Sequence, residues 1–516
     1  MTPGAGRADA TATPDIIDLL VIGGGINGAG IARDAAGRGL SVCLVEQHDL
    51  ASHTSSASTK LVHGGLRYLE HGELRLVREA LAERERLLAI APHIVHPLRF
   101  VLPYVDGLRP RWLLRLGLFV YDNVGGREKL AASQGTRLAG TPLGAPLRED
   151  IGHGFEYSDC WVEDSRLVVL NALDAAERGA RVLTRTRLVC ATPQADGWLA
   201  TLEGPDGAAT TLHCRVLVNA TGCWVNDVLG RVGVQPRQRL RLVKGSHLVL
   251  RRQFEGNHAY LLQTPDRRVL FAIPFEREWT LVGTTDVPFD GDPARVSIDA
   301  AEQEYLLAGL NRFMRKPASA ADVVATYSGV RPLYDDGSAT AAQKVSRDYH
   351  LELQHAQGPR HGAGVAPVIS VYGGKITTYR RLAEATLQQV LPLLGREVAG
   401  EWTDTEALPG GDIADADLAA FTARSRARWP GMPPELVERL ARLYGTRMAR
   451  ILGGAHTMGE LGRHFGATLT SAEVRYLVEQ EWARSVEDIL WRRTRLGYSL
   501  PASAVHDLQD AVAQLL

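Results

Sequence analysis

Hydrophobic and polar positions from Asp18 to Glu46 follow the order strand, turn, helix and strand. An apolar LLVI run comes first, a glycine turn follows, and a second apolar run ends at Glu46. The turn satisfies G-x-G-x-x-G through Gly23, Gly25 and Gly28, a spacing that lets the backbone bend tightly and approach a pyrophosphate at a helix N-terminus. Glu46 lies 18 residues after Gly28, near the roughly 20 expected for the acid that accepts a ribose hydroxyl. This pattern predicts a dinucleotide-binding unit.

A densely polar segment follows this unit and bears on which dinucleotide is bound. Small residues, mostly hydroxyl-bearing, fill positions 54–59, and Lys60, His63, a glycine pair and a tyrosine come next. A nicotinamide-binding domain would continue with another regular strand and helix, whereas this composition suits a backbone pressed against a large flat cofactor with polar edges. A flexible polar linker is the alternative, but apolar residues interleaved at 61, 62, 66 and 69 favour a packed segment. The segment therefore favours FAD over NAD.

Two longer motifs carry a resemblance to a known family. SSASTKLVHGGLRYLEH begins at Ser55, and VYGGKITTYRRLAE spans Val371 to Glu384. Together they resemble the paired signatures of the FAD-dependent sn-glycerol-3-phosphate dehydrogenases, which are respiratory bacterial enzymes. The resemblance extends from about Asp18 to the C-terminus and leaves out the first 14 or so residues. It includes the motifs GFEYSDCWV, VNATG, KGSH, GTTD, YSGVRPL and LPGG.

The resemblance implies an activity, a cofactor and partners. The expected reaction is oxidation of sn-glycerol 3-phosphate to dihydroxyacetone phosphate by hydride transfer to non-covalent FAD, within glycerol catabolism. Electrons would pass to membrane quinone, which implies a cytoplasmic enzyme bound peripherally to the inner face of the cytoplasmic membrane. Arginine-rich faces near the C-terminus are interpreted first as solvated surface and second as a contact in a homodimer or with the membrane.

Composition limits the remaining classes of function. The 516 residues carry a net charge of −1, which gives no global attraction to nucleic acid, so any anion site must be a local cluster of basic residues. The five cysteines are odd in number, widely spaced and contain no C-x-x-C. They argue against a disulfide framework or a metal site and fit a reducing cytoplasm. The first residues lack the apolar core of a secretory signal.

Membrane contact can be predicted only for a surface helix, because no uncharged apolar run approaches the roughly 18 residues that span a bilayer. The stretch Arg109–Tyr121 interleaves arginines with Trp112, Leu113, Leu116 and Phe119. Basic and aromatic residues on a short amphipathic helix suit the headgroup boundary. A helix packed on the core with solvated arginines is the alternative, and the residues alone favour it. The membrane quinone that the resemblance implies as a partner favours the interpretation of this stretch as a helix at the membrane surface.

The order of apolar runs predicts the domain layout. Strand-like and helical runs alternate through the first 400 residues, and consecutive amphipathic helices follow Gly411. We predict an α/β fold with a discontinuous Rossmann-like FAD-binding domain of the glutathione-reductase/D-amino-acid-oxidase type, an antiparallel β-rich substrate domain and a helical C-terminal domain. The predicted ranges are a disordered tail at 1–14, an oxidoreductase region at 15–400 and the C-terminal domain at 405–516. Within the oxidoreductase region, FAD-binding parts are expected at about 15–95, 160–230 and 360–400, and substrate or cap parts at about 96–159 and 231–359.

Cofactor contacts are expected in the glycine turn, the polar segment, the Ala-Thr-Gly sequence after a strand, and the GGKIT motif. A helix that begins at GGKIT would direct free N–H groups and a positive dipole end toward the flavin pyrimidine edge. The alternative for GGKIT is that its glycines are ordinary turn residues. The predicted cofactor-binding residues are Gly23, Gly25, Ile26, Asn27, Gly28, Glu46, Ser55, Ser56, Ser58, Lys60, His63, Gly64, Gly65, Ala220, Thr221, Gly222, Gly374, Lys375 and Thr377.

Phosphate recognition calls for arginine and lysine, which make charge-assisted hydrogen bonds. An isolated arginine is usually a surface residue, but the resemblance places several basic residues in the substrate pocket. His247 titrates near neutral pH, and a strand histidine is either a satisfied structural residue or, as the family context suggests, a substrate contact and general base. The predicted substrate-binding residues are Arg67, Tyr68, His247, Arg331, Arg347 and Lys375, of which His247, Arg331 and Lys375 are predicted to be catalytic.

Three alternatives to the dehydrogenase remain open on the sequence. The first keeps the substrate but passes electrons to oxygen, which gives a glycerol-3-phosphate oxidase. The second is an amine or hydroxy-acid oxidase of the same fold, which needs an arginine for a carboxylate but no basic cluster for a dianion. The third is a non-catalytic flavin-bound protein that docks on membranes.

Overall fold

The computed structural model describes residues 16–105, 109–266, 268–335, 348–357, 365–398 and 400–516, without the side chains at 67, 70, 71, 357 and 365. The predicted tail at 1–14, the predicted substrate ligand Arg347 and the side chain of Arg67 therefore lie outside the described residues.

Strands outnumber helices through the first two thirds of the chain, and several strands follow one another directly. Numbered in chain order, the strands are β1 (Ile17–Ile22), β2 (Val42–Val45), β3 (Leu61–Val62), β4 (Val95–Pro103), β5 (Gln134–Arg137), β6 (His153–Val162), β7 (Arg181–Leu183), β8 (Arg187–Gln194), β9 (Gly197–Glu203), β10 (Ala209–Asn219), β11 (Arg239–Arg251), β12 (Ala259–Gln263), β13 (Val269–Phe275), β14 (Trp279–Gly283), β15 (Val287–Pro288), β16 (Val323–Asp335), β17 (Tyr349–Gln357), β18 (Val365–Gly373), β19 (His464–Gly466) and β20 (Leu469–Thr470).

The helices connect these strands and then dominate the C-terminal region. They are α1 (Ile26–Gly37), α2 (Leu74–Ile90), α3 (Arg111–Val124), α4 (Asp164–Glu177), α5 (Val225–Arg231), α6 (Ala300–Asn311), α7 (Tyr379–Leu393), α8 (Leu418–Arg428), α9 (Pro434–Tyr444), α10 (Met448–Leu452), α11 (Ser471–Gln480) and α12 (Ala502–Leu515).

The first sheet is the dinucleotide-binding sheet that the glycine motif predicts. Its order is β17–β18–β10–β1–β2–β7, and all of these strands except β17 run parallel. Alternate residues of β1 face opposite sides, as the period of a strand requires. Leu19 and Val21 pack in a core with α1, α4 and α7, whereas Leu20 and Ile22 pack in a core with β8, β9 and α5. Both faces are covered, which explains the continuous apolar run of β1.

The second sheet is largely antiparallel and has the order β15–β11–β14–β13–β12–β4–β6–β3, with β16 paired to β11 and β5 to β6. The runs predicted as strands around KGSHLVL, VLFAIPF and TLVGTTDV lie mainly in β11, β13 and β14. His247 stands on β11, opposite Gly283 of β14 and Tyr327 of β16. The predicted α/β class with a β-rich second sheet is therefore confirmed, and the sheet holds the candidate base between two neighbours.

The C-terminal region contains α8 to α12 and a small β19–β20 hairpin around a core of its own, which includes Leu436, Leu440 and Leu477. It packs against α4, where Arg166 is ion-paired with Glu481 and both side chains are buried. In the ranges that the structure describes, every helix is too short or too polar to cross a bilayer.

Candidate active site

A cavity of about 1290 Å³ lies where the carboxyl ends of β1 and β10 face the second sheet. Ligands of open α/β sheets bind at this edge. Of the predicted residues, the cavity is lined by Gly23, Gly25, Ile26, Asn27, Glu46, Ser55, Ser58, His63, Gly65, Tyr68, Ala220, Thr221, Gly222, His247, Arg331, Gly374, Lys375 and Thr377. Gly28, Ser56, Lys60 and Gly64 are not among the lining residues.

The three motif glycines differ in what they are close to. Gly23 has a φ of +108°, and a Cβ added there would lie 2.6 Å from the Ala220 carbonyl oxygen. A Cβ on Gly28 would lie 1.9 Å from the Gly23 carbonyl oxygen. A Cβ on Gly25 would meet only Ser55 Oγ, at 3.1 Å, within the protein. Gly23 and Gly28 are therefore required by packing, whereas Gly25 leaves open the space at the N-terminus of α1.

Glu46 supports the glycine turn from the side. Its Oε2 accepts a hydrogen bond from the Gly24 N–H at 2.7 Å, and its Oε1 accepts one from the His48 N–H at 2.7 Å. Burial raises the pKa of this carboxyl above its usual range, and the two N–H donors act against that rise. A carboxylate has lone pairs beyond these two bonds, so Glu46 can still accept a hydroxyl in the cavity.

The polar segment after β2 is held in place by hydrogen bonds to several elements. Ser55 Oγ accepts a hydrogen bond from the Ile26 N–H at the start of α1, at 3.0 Å. Thr54 Oγ1 donates to the Val330 carbonyl at 2.7 Å, and the Gly64 N–H donates to Tyr121 Oη at 2.7 Å. The segment is thus packed and is not a flexible linker.

Lys60 lies behind this segment and not in the cavity wall. Its ammonium is buried, lies 2.9 Å from Asp164 Oδ2 and donates to the Ser56 carbonyl at 3.0 Å. Burial lowers the pKa of Lys60 to about 8, with the charge of Arg495 acting in the same direction. The sequence motif predicted Lys60 as a cofactor contact. In the structure its side chain is ion-paired with Asp164 and does not line the cavity.

The GGK motif forms a turn between β18 and α7. Gly373 and Gly374 have φ values of +73° and +92°, and Asn27 Nδ2 donates to the Gly373 carbonyl at 3.2 Å. A short 3₁₀ turn over Ile376–Thr378 precedes α7, so the α-helix begins about one turn later than the motif predicted. Lys375 Nζ lies 4.0 Å from the centre of the Tyr68 ring, and the structure gives it no hydrogen-bond partner among the described residues.

Arg331 is oriented by a group of residues at the end of β14. Its Nη1 lies 2.5 Å from Asp286 Oδ1, and its Nη2 donates to Thr284 Oγ1 at 3.1 Å. Asp286 also lines the cavity, although it was not among the predicted site residues. The GTTD motif that contains Asp286 and Thr284 was recognised, but no local pattern marks either one as the partner of an arginine 45 to 47 positions away.

His247 is enclosed on both sides within the second sheet. Its ring stacks on Tyr327 at 4.6 Å, and its Nε2 lies 2.9 Å from Thr59 Oγ1. A Cβ on Gly283 would lie 2.1 Å from His247 Cδ2, so the opposing glycine makes room for the ring. Burial holds the pKa of His247 well below its usual range, and the charges of Arg331 and Lys60 lower it further. The imidazole is therefore neutral at pH 7. The sequence interpretation left out Thr59 and Tyr327 as its partners.

The cavity fits a flavin dinucleotide. Two motif glycines are packed so closely that the turn is fixed, the third leaves the helix N-terminus open, and an acid lies beside them. The family model described as "FAD dependent oxidoreductase" matches residues 18–380, and the one described as "C-terminal domain of alpha-glycerophosphate oxidase" matches 401–516. The chain is an FAD-dependent oxidoreductase.

Similar proteins show to which family of FAD-dependent oxidoreductases the chain belongs. Glycerol-3-phosphate dehydrogenase of Pseudomonas aeruginosa is 50% identical over 95% of this chain and 93% of its own length. Aerobic glycerol-3-phosphate dehydrogenase of Escherichia coli K12 is 47% identical over 97% of both chains. D-erythritol 1-phosphate dehydrogenase of Brucella abortus is 49% identical over 94% of this chain and 95% of its own. The chain belongs to the FAD-dependent glycerol-3-phosphate dehydrogenase family, as the two motifs predicted.

A solved structure agrees with the assignment of the cofactor. Glycerol-3-phosphate dehydrogenase from Bacillus halodurans, complexed with FAD, has a TM-score of 0.74 to this chain at 28% identity. The match covers 97% of this chain and 90% of that one. The prediction of FAD as the cofactor is therefore confirmed.

Proposed function

We propose that this protein oxidises sn-glycerol 3-phosphate to dihydroxyacetone phosphate within glycerol catabolism. We further propose that the electrons removed from the substrate pass through FAD to a membrane quinone. The observation that carries the proposal is that a neutral histidine and two cationic side chains, His247, Arg331 and Lys375, line the same cavity as the dinucleotide turn. Relatives with this activity in their names, at 47–50% identity, support it.

Arg331 and Lys375 are the proposed phosphate ligands. The guanidinium of Arg331 is partly exposed to the cavity and oriented by Asp286 and Thr284, which leaves a planar group that can bind phosphate oxygens. The ammonium of Lys375 is shielded from solvent without an acceptor among the described residues. Burying a charge without a hydrogen-bond partner is unfavourable, and a phosphate oxygen would supply the acceptor. Arg67 and Arg347 stay predictions from the resemblance.

His247 is the proposed acceptor of the substrate hydroxyl proton. A base must be deprotonated at working pH, and the lowered pKa of His247 ensures this. Thr59 and Tyr327 hold the ring in one orientation. When bound, FAD accepts the hydride, and the protein supplies position and electrostatic field. The N-terminus of α7 behind the GGK turn favours negative charge at that side of the cavity.

D-Erythritol 1-phosphate is a second candidate substrate, because a relative with that substrate in its name is almost as similar, at 49% identity. It offers the same phosphate with a longer polyol chain. The Asp286 carboxylate lines the cavity and could accept hydrogen bonds from the additional hydroxyl groups. Comparing the two substrates at equal concentration decides between them.

Helix α3 is the proposed membrane contact and the proposed wall of a quinone path. Trp112, Leu116 and Phe119 are 69%, 51% and 58% exposed, although large apolar side chains are usually buried. The same helix contributes Leu113, Leu116, Gly117 and Val120 to the cavity lining. One helix therefore joins an exposed apolar surface to the cavity, as an acceptor that arrives from lipid would require.

The first experiment is anaerobic mixing of the flavin-loaded protein with sn-glycerol 3-phosphate while flavin absorbance is recorded. Bleaching is expected with this substrate and not with uncharged glycerol, which is the matched control. Absence of bleaching with either polyol phosphate would contradict the proposal and favour the non-catalytic alternative, or an amine or hydroxy-acid oxidase if such substrates bleach the flavin. Reoxidation by a quinone analogue with little peroxide in air supports the dehydrogenase, whereas stoichiometric peroxide indicates the oxidase.

A further inference from the structure

A buried cluster of charges joins the C-terminal region to the candidate base. Arg495, just after the π-helical turn Asp488–Arg493, is 6% exposed. Its Nη2 donates to Asp164 Oδ1 at 2.7 Å, and its Nη1 lies 2.5 Å from Glu163 Oε2. Asp164 is fully buried and is also ion-paired with Lys60. Asp164 is thus held between Lys60 on one side and Arg495 on the other, and Arg495 also pairs with Glu163.

The cluster fixes the segment that carries Thr59. Asp164 Oδ2 accepts a hydrogen bond from Ser58 Oγ at 2.7 Å, and Lys60 donates to the Ser56 carbonyl. On the other side, Tyr327 Oη donates to the Ser58 carbonyl at 2.9 Å. Thr59 is held between these anchors, with its hydroxyl 2.9 Å from His247 Nε2. The position of the imidazole therefore depends on Asp164.

The backbone at both cations is strained in the same way. Lys60 and Arg495 have φ values of 60° and 57°, in the left-handed region that non-glycine residues rarely adopt. Strained conformations persist where the surrounding structure determines them, and they cluster at functional sites. Here both residues direct their side chains into the same carboxylate.

We propose that Arg495 is a positioning residue for the reaction: through Asp164 and Ser58 it holds Thr59 and His247 in place, so that the C-terminal domain completes the active site. The role of His247 as the proton acceptor rests on the proposed function. The positioning of Thr59 and His247 by Arg495 rests only on the contacts described above.

The test compares Arg495→Met with Arg495→Lys, which keeps the cation but not the planar fork. Arg166→Met is the matched control, because Arg166 is buried in α4 and ion-paired across the same interface but has no described contact with Ser58, Thr59 or Asp164. Each variant is examined for thermal unfolding, for the rate of anaerobic flavin reduction, and for the rate at which diethyl pyrocarbonate modifies His247, followed by peptide mass spectrometry.

For Arg495→Met we expect flavin reduction to slow about 10- to 100-fold, the loss that a small displacement of a reacting group causes. The apparent Kd for sn-glycerol 3-phosphate should change little, since Arg331 and Lys375 lie on other elements. Modification of His247 should become several-fold faster, and Arg495→Lys should recover part of both effects. Arg166→Met should lower the unfolding temperature but leave both rates unchanged.

Unchanged reduction and modification rates in folded Arg495→Met would overturn the proposal, and so would equal effects in Arg166→Met. If Arg495→Met does not fold, Ser58→Ala removes the short hydrogen bond from Ser58 Oγ to Asp164 and keeps only the one from the Ser58 N–H at 3.3 Å. The same two rates then decide, with the Kd for FAD measured alongside because Ser58 lines the cavity. If sn-glycerol 3-phosphate fails to reduce even the wild-type flavin, the proposed function fails, while the modification rate of His247 still tests the positioning.

Discussion

Gly25→Ala should separate cofactor binding from folding. Gly25 has φ of −81° and ψ of −176°, an extended conformation that any residue adopts, and it caps α1. The added Cβ would meet only Ser55 Oγ at 3.1 Å inside the protein. The methyl group would project into the space at the helix N-terminus, where the pyrophosphate of FAD is expected to lie.

The size of each effect follows from this geometry. Replacing glycine by alanine at an N-cap costs about 1 kcal/mol or less, so the FAD-free variant should unfold within a few degrees of the wild type. Displacing the pyrophosphate from one charge-assisted N–H bond costs about 1.5–3 kcal/mol, which corresponds to roughly a 10- to 100-fold weaker Kd for FAD.

The assay is titration of FAD-free protein with FAD, followed by flavin fluorescence, together with thermal unfolding of each variant. Gly230→Ala on α5 is the neutral control, because its Cβ meets nothing within 4 Å. Gly28→Ala is the opposite control and should fail to fold, because its Cβ would lie 1.9 Å from a carbonyl oxygen. Wild-type affinity for FAD in Gly25→Ala would refute the proposed path of the pyrophosphate, and unfolding of its FAD-free form would make Gly25 a packing residue.

Three further predictions follow from the same cavity. Arg331→Ala and Lys375→Ala should each lower kcat/KM for sn-glycerol 3-phosphate by about 10- to 100-fold, because each removes a charge-assisted contact. If activity with uncharged glycerol falls by the same factor, these residues do not bind the phosphate. The double variant Trp112→Glu and Leu116→Glu should reduce liposome flotation and quinone-dependent turnover but leave dye-coupled activity in detergent unchanged. If this variant fails to fold, the two side chains are buried in the protein and do not contact the membrane. FAD should be released by heat or acid, and flavin retained on the denatured chain would contradict non-covalent binding.

The parts of the structure that are local in sequence could be predicted from it. The βαβ unit, its glycine turn and Glu46 lie within about 30 residues, and their spacing alone indicates the fold. Ion pairs between distant positions could not be predicted in this way. Lys60 and Asp164 are 104 residues apart, and Arg495 lies 331 residues from Asp164. The motif predicted Lys60 as a cofactor contact, but only tertiary packing shows that its side chain points to Asp164.

Helix α3 illustrates a different limit. Its sequence left a membrane helix and a core-packed helix both open, and the structure shows features of each. Leu118 and Tyr121 are buried, and Tyr121 Oη donates to Asp159 at 2.8 Å. Trp112 and Phe119 point outward. An amphipathic pattern reports that a helix has two faces, but it does not report whether water or lipid covers the outer one.

Burial, Arg331 in the cavity wall and Lys60 behind it determine when His247 can act as a base. The charges of Arg331 and Lys60 lower the pKa of His247 in addition to burial. In kcat/KM, which reports the free enzyme, the step due to His247 should therefore lie below pH 6.5, with activity falling as pH drops through the lowered pKa. The step due to the substrate phosphate, at about pH 6, is located by titrating the free substrate and separated from it. A bound phosphate dianion would offset the charge of Arg331 and raise the pKa of His247, so the acid limb of kcat should lie at higher pH. We expect this order in profiles measured with sn-glycerol 3-phosphate. Two results would show that the base is a group other than His247. One is an acid limb of kcat/KM above pH 6.5, and the other is an acid limb of kcat at lower pH than that of kcat/KM. Either result would mean that the pKa of the base is not lowered by the neighbouring cations.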